Sequence, residues 1–185
     1  MNLVTGASGL LGSHIVEKLI AQGRPVRALV RASSDTRLLD EWGVETARGD
    51  VTDAESLRKA CQGVETVYHV AARVGDWGPW SEYQAVTIDG TRNMLAAAGA
   101  AGVKRFLHVS SISPYGHPDD EGLVLDETAP LGVNLHRWSY YSRAKVEAER
   151  LARAAHEAGE VPVTVVKPSW LYGPRDRASL PRLVR

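Results

Sequence analysis

Cysteine is almost missing from this chain: Cys61 is the only one in 185 residues. One thiol cannot close an intrachain disulfide, and no cysteine-based metal site can form around it. Set in a helical pattern, it reads as a small core residue rather than a nucleophile. The six histidines lack HxxxH or comparable spacing, so no metal site is expected. Excess charge of either sign is also missing, because 22 Lys and Arg balance 22 Asp and Glu. Nucleic-acid and membrane-surface partners usually call for a basic excess, so neither is expected, and any anion must be held locally. No apolar run approaches the ~20 residues that cross a bilayer. MNLVTGASG has no basic stretch leading into a long apolar one, so a signal peptide is not expected and a cytoplasmic protein is. Internal repeats and low-complexity segments are absent.

What is present is enough apolar residue, 44% of the chain, to bury a core in one domain over residues 1–185. Short apolar strands alternate with amphipathic helices. Strands are expected at Leu3–Val4, Val26–Val30, Val44–Ala47, Thr66–Val70, Arg105–Ser110 and Val163–Lys167. Helices are expected at Ser13–Gln22, Thr36–Trp42, Tyr83–Gly99 and Tyr141–Glu157. In the first of these, Leu11, Ile15, Leu19 and Val16, Ile20 recur at helical spacing. Thr52-Asp53-Ala54-Glu55 has the form of a capping box, opening a further helix that Gly63 closes. Pro114 to Arg137 reads as a long polar loop. Strand–helix alternation of this kind implies an α/β fold, a Rossmann-like doubly wound parallel sheet with helices on both faces.

The first strand runs straight into Thr5-Gly6-Ala7-Ser8-Gly9-Leu10-Leu11-Gly12, and a helix follows at once. Glycines in that setting have three uses: a tight turn, close approach of backbone amides to a pyrophosphate, and close packing of helix on strand. Free N–H groups and the positive end of the helix dipole then favour an anion. Gly6, Ser8, Gly9, Leu10, Leu11 and Gly12 are the expected phosphate contacts. Further along, Tyr141 and Lys145 are four apart and share one helix face. A phenol at its reference pKa of ~10 is a poor base at neutral pH, and a neighbouring ammonium is expected to lower it. Tyr140 has Ala144 four residues on, so it cannot form that pair.

The spacing GxxGxxG resembles the extended branch of the short-chain dehydrogenase/reductase family, the NAD-dependent epimerase/dehydratase type. The resemblance continues along the chain in order: Gly49-Asp50-Val51-Thr52-Asp53, His69-Val70-Ala71-Ala72, Asp89-Gly90-Thr91-Arg92-Asn93, Val109-Ser110-Ser111 with Tyr115-Gly116, Tyr141-Ser142-Arg143-Ala144-Lys145, and Lys167-Pro168-Ser169-Trp170-Leu171-Tyr172-Gly173-Pro174. It implies an NAD(P)-dependent oxidoreductase with Ser111, Tyr141 and Lys145 as catalytic residues. Tyr141 would exchange a proton with a substrate oxygen, Ser111 would orient that oxygen, and Lys145 would also hold the nicotinamide ribose. Asp50, Val51, Ala71, Ala72, Pro168 and Leu171 are the further cofactor contacts it implies, and it allows a homodimer.

NAD enzymes usually carry an acid at the end of the second strand. Here Val26-Arg27-Ala28-Leu29-Val30-Arg31 has none. Arg31, with Arg37 and Ser33 nearby, is placed to meet a 2′-phosphate, as in the dihydroflavonol reductases that the stretch resembles. NADP(H) is therefore expected ahead of NAD(H). The loop Gly75-Asp76-Trp77-Gly78-Pro79-Trp80 resembles the 3β-hydroxysteroid dehydrogenase branch; its tryptophans would either stack on a ring-shaped substrate or cover a sheet edge. Thr87 stands where the family pattern has Asn. Sterol-like, flavonoid-like and sugar-nucleotide substrates all fit the resemblance. A nucleotide-sugar epimerase or dehydratase and a dinucleotide sensor without turnover are the competing readings. Because the sequence stops at Arg185, in what reads as the start of a helix (Leu180, Leu183, Val184), the C-terminal substrate-binding part is expected to be incomplete.

Overall fold

The computed structural model describes residues 1–75, 77–118, 122 and 124–177. Asp76 of the tryptophan loop and the helix start expected at Leu180–Val184 lie outside the described residues. Six strands form one sheet: β1 (Asn2–Thr5), β2 (Val26–Val30), β3 (Glu45–Arg48), β4 (Thr66–His69), β5 (Arg105–Val109) and β6 (Val163–Val166). Their order is β3-β2-β1-β4-β5-β6 and every pairing is parallel, the doubly wound arrangement expected. Helices α1 (Leu10–Ala21), α2 (Arg37–Glu41), α3 (Ala54–Ala60), α4 (Trp80–Tyr83), α5 (Gly90–Ala100) and α6 (Tyr140–Glu157) supply the connections.

Strand period two divides the core. Leu3, Leu29, Val67 and Phe106 point to one face, where Leu57, Met94 and Ala152 of α3, α5 and α6 meet them. Val4, Ala28 and Val30 point to the other, under Val16, Leu19 and Leu39 of α1 and α2. Cys61 is buried in the first cluster. No helix among the described residues is long and apolar enough to cross a membrane.

Three local expectations change. Asp53, not Thr52, caps α3: its Oδ1 accepts the N–H groups of Glu55 (3.0 Å) and Ser56 (3.3 Å). The Thr52 hydroxyl is already committed to Asp50 Oδ1 at 2.8 Å, which leaves the cap to the stronger acceptor next door. The helix expected at Tyr83–Gly99 begins at Trp80, reaches Ala100, and widens into π-turns over Gln84–Asp89. The first helix starts at Leu10, directly after the glycine turn, rather than at Ser13.

Candidate active site

In a doubly wound sheet the crevice opens where strand order reverses, at the carboxyl ends of β1 and β4. Gly6 turns the chain out of β1 with φ 66°, and a methyl group there would lie 3.0 Å from the Ala71 nitrogen. Gly12 packs against the same turn: a Cβ would lie 2.1 Å from the Gly6 oxygen. Gly9 is the N-cap of α1, and no side chain caps that helix. Its first-turn amides therefore lie open to an anion, with Leu10 and Leu11 half-buried and Ser8 exposed.

Thr5 ties the two strand ends together. Its Oγ1 accepts the N–H groups of Val70 (3.1 Å) and Ala71 (3.0 Å), which fills both lone pairs and leaves its proton for His69 Nδ1 at 3.0 Å. His69 Nε2 must then carry the ring proton. It reaches Thr91 Oγ1 at 3.1 Å, whose own proton goes to the Thr87 carbonyl at 2.6 Å. Burial first, then the Lys145 charge, hold His69 neutral, with its pKa pushed down to about 3. Beside it on β5, His108 stacks at 5.8 Å and is likewise held neutral by burial, Lys145 and His69. Thr87, at the family's Asn position, accepts the Arg73 N–H through Oγ1 at 3.0 Å. The hydroxyl thus holds the β4 loop against the π-turn segment.

Towards β2, a cavity of about 310 Å³ is lined by Ala7, Ser8, Ser13, Asp35, Arg37 and Arg177, among others. Arg31 is exposed, with its N–H bonded to Ser34 Oγ at 3.0 Å, and is not among the cavity's lining residues. Asp35 instead supplies an acid that the strand end lacks. Arg37 (2.8 Å) and Arg177 (3.1 Å) pair with it, and their hydrogen bonds hold its carboxyl well below the usual range. Arg175 pairs with Glu17 of α1 at 2.6 Å. Asp50 spends its carboxylate on Thr52, while Val51 is buried and its carbonyl accepts Asn93 Nδ2 at 3.1 Å.

The two serines that follow β5 have different duties. Ser110 is buried and donates to Glu149 Oε2 at 2.7 Å. Ser111 Oγ accepts the Ser113 N–H at 3.2 Å and lies close enough to Tyr141 to favour its ionised form. Lys145, on the same helix, is buried and donates to the Val109 carbonyl at 2.6 Å. The structure does not give the lowered phenol that the spacing suggested. Burial pushes Tyr141 up against the opposing influence of Ser111, and burial pulls Lys145 down to about 8 against the Glu149 charge. Ser111, Tyr141 and Lys145 are brought together; what the four-residue spacing left out is how strongly the site is desolvated.

Pro168, half-buried beyond β6, accepts the Ile112 N–H through its carbonyl at 3.2 Å. Leu171 is exposed. The two loop tryptophans part ways: Trp80 packs edge-on to Tyr140 at 5.6 Å and under Arg143, whereas Trp77 is 86% exposed. Sequence reasoning missed Glu149, Asp35, Arg175 and Arg177. Only Glu149 had a local signal, as the third member of a Tyr141, Lys145, Glu149 series at intervals of four.

A profile of the NAD dependent epimerase/dehydratase family matches residues 2–185. The chain is 37% identical to sterol demethylase protein B of Methylococcus capsulatus over 183 residues, covering 94% of this chain and 52% of that protein. It is 33% identical to the 2-alkyl-3-oxoalkanoate reductase of Stenotrophomonas maltophilia, over 98% of this chain and 54% of the reductase. A double mutant of DesIV, the dTDP-glucose 4,6-dehydratase of Streptomyces venezuelae, solved with NAD and DAU bound, matches at TM-score 0.87 and 28% identity, over 100% of this chain and 61% of that one. The chain spans about half the length of the curated relatives it matches.

Proposed function

The chain belongs to the NAD dependent epimerase/dehydratase family, and from that premise we propose that it is the dinucleotide-binding part of an oxidoreductase acting at a hydroxyl/carbonyl carbon. The observation that carries the proposal is convergence. The uncapped start of α1 and the Ser111, Tyr141, Lys145 group meet at the carboxyl ends of one parallel sheet. Gly6, Gly9, Gly12, Ala71 and Ala72 would hold the dinucleotide, with its pyrophosphate on the open amides of α1. A bound nicotinamide supplies or accepts hydride. Tyr141 would exchange a proton with the substrate oxygen, Ser111 would orient that oxygen, and Lys145 would help hold the ribose. Reductase and sterol demethylase relatives favour a carbonyl or sterol-like small molecule over a sugar nucleotide. A cytoplasmic location and a homodimer complete the proposal.

NADP(H) is the proposed cofactor, with Arg31 meeting the 2′-phosphate and Arg37 assisting it. One observation favours NAD(H) as a second reading: the Asp35 carboxylate sits in the cavity wall where ribose hydroxyls would be received. Titrating NADPH and NADH by fluorescence decides between them. Arg31→Asp should weaken NADPH through loss of a charge-assisted contact of ~1.5–3 kcal/mol, and NADH far less. An equal response would make Arg31 a surface residue, and binding of neither dinucleotide would overturn the proposal.

A further inference from the structure

Behind the proposed acid–base group stands a fully buried carboxylate. Glu149 lies four residues past Lys145 and eight past Tyr141 on α6, so the three share a helix face. Three elements converge on it. Ser110, just beyond β5, donates to Oε2 at 2.7 Å. Lys167, just beyond β6, places Nζ 3.0 Å from Oε1, with the Tyr115 ring covering the ammonium at 3.9 Å. Arg153, a turn further along α6, donates to Oε1 from Nε at 3.0 Å and Nη2 at 2.8 Å. A carboxylate without solvent exposure is costly unless it is paired and hydrogen-bonded, and here it is both.

We infer that Glu149 is a positioning residue, a buried counter-charge one helical turn past Lys145 that pins the ends of β5 and β6 onto α6. The inference rests on the assignment of Lys145 to the proposed chemistry. The groups facing Lys145 define the problem. From β4 and β5 come the imidazoles of His69 and His108, which its charge disfavours as cations. Val109 offers it one carbonyl, and Tyr141 on its own helix is a neutral phenol. Burial opposes its charge, and the opposing influence that favours the ammonium is Glu149. Ser111 and Pro168 follow directly on Ser110 and Lys167, the groups that Glu149 grips. The one carboxylate thereby favours the ammonium and holds the backbone that carries Ser111 and Pro168.

A purely structural tie would hold the strands and leave the titration of Lys145 untouched. The test reads that titration directly, by carbon-13 NMR of lysine-labelled protein with the Lys145 resonance assigned by substitution. In the unaltered chain it should titrate near 8, as burial and Glu149 together set it. Glu149→Gln should lower the midpoint by roughly 1–3 pH units, the usual worth of a nearby opposite charge. Glu149→Asp, which keeps the charge, should restore most of the shift. A folded Glu149→Gln protein with an unmoved midpoint overturns the inference. If that variant does not fold, Lys167→Met serves instead. Removing a competing cation should raise the Lys145 midpoint, and no rise is equally fatal. NADPH titration of the unaltered chain separates the two proposals, since failure to bind sinks the oxidoreductase reading while leaving the Lys145 shift intact.

Discussion

Gly12 and Gly9 stand three residues apart in the same turn, and the structure assigns them opposite consequences. A methyl group on Gly12 would lie 2.1 Å from the Gly6 oxygen, 2.7 Å from the Gly6 carbonyl carbon and 2.9 Å from the Ala7 Cα. All three are backbone atoms, so relief requires moving the β1–α1 turn. Alanine for glycine within a helix otherwise stabilises, by up to ~1 kcal/mol. The sign of the change is therefore diagnostic. Overpacking costs typically ~1–3 kcal/mol, equivalent to a melting temperature lower by about 2–12 °C at this chain length. At Gly9 an added Cβ would meet only the Gly6 oxygen, at 3.3 Å, in an extended conformation (φ −86°, ψ 175°) that valine accepts. Gly9→Val should melt close to the unaltered protein and lose dinucleotide binding, because its methyls would stand over the open amides. Thermal unfolding and NADPH titration of the two variants check both halves. A Gly12→Ala protein as stable as the original, or a Gly9→Val protein that binds normally, would refute the account of this turn.

Tyr141→Phe keeps the ring and removes the proton-exchanging group. In a form of the protein that turns over a carbonyl substrate, steady-state rates should fall by about 10²–10⁴-fold with NADPH affinity nearly unchanged. Retained activity would overturn the assigned chemistry. Acid should destabilise the fold through its buried imidazoles. His69 stays neutral in the folded chain down to about pH 3, whereas an unfolded histidine protonates near 6.5. Between those values the unfolded chain binds more protons, so stability falls with falling pH, by up to about 1.4 kcal/mol per unit per histidine, and His108 acts in the same direction. Urea unfolding at pH 7 and pH 5 should separate clearly; equal stabilities would mean that neither ring is buried neutral.

The parallel sheet, its two layers of helices and the glycine turn were legible because each rests on local period and turn chemistry. Less local features were not. One π-widened stretch inside an otherwise regular helix leaves the apolar pattern of Tyr83–Gly99 almost unchanged, so Gln84–Asp89 carries no separate signal. Thr52 matched the capping pattern as well as Asp53 did, and only the bond from Thr52 to Asp50 decides between them. Glu149 lies in a polar, alanine-rich helix where a solvated face was the natural reading, and its burial depends on strands β5 and β6 closing over it. Asp35 and Arg177 are separated by 142 positions, a distance across which no motif reports. At Arg31, strand position gave the place but not the partner. Ser111 was legible from its place before Tyr115-Gly116, and the engagement of Ser110 with Glu149 supplies the physical reason why the two serines differ.

Among the described residues the sheet ends at β3 on one side and at β6 on the other, and the two margins are not equivalent. Beyond β2 it ends at β3, where Glu45 and Arg48 are exposed and would place charge in the way of an approaching chain. On the opposite margin it ends at β6, whose residues Val163-Thr164-Val165-Val166 carry no charge and are mostly β-branched. An uncharged edge of that composition suits strand addition, although the Val163 N–H is already accepted by His156 Nδ1 at 3.3 Å. Of these two described margins, β6 is the one whose composition admits a further strand and β3 the one whose charges oppose it.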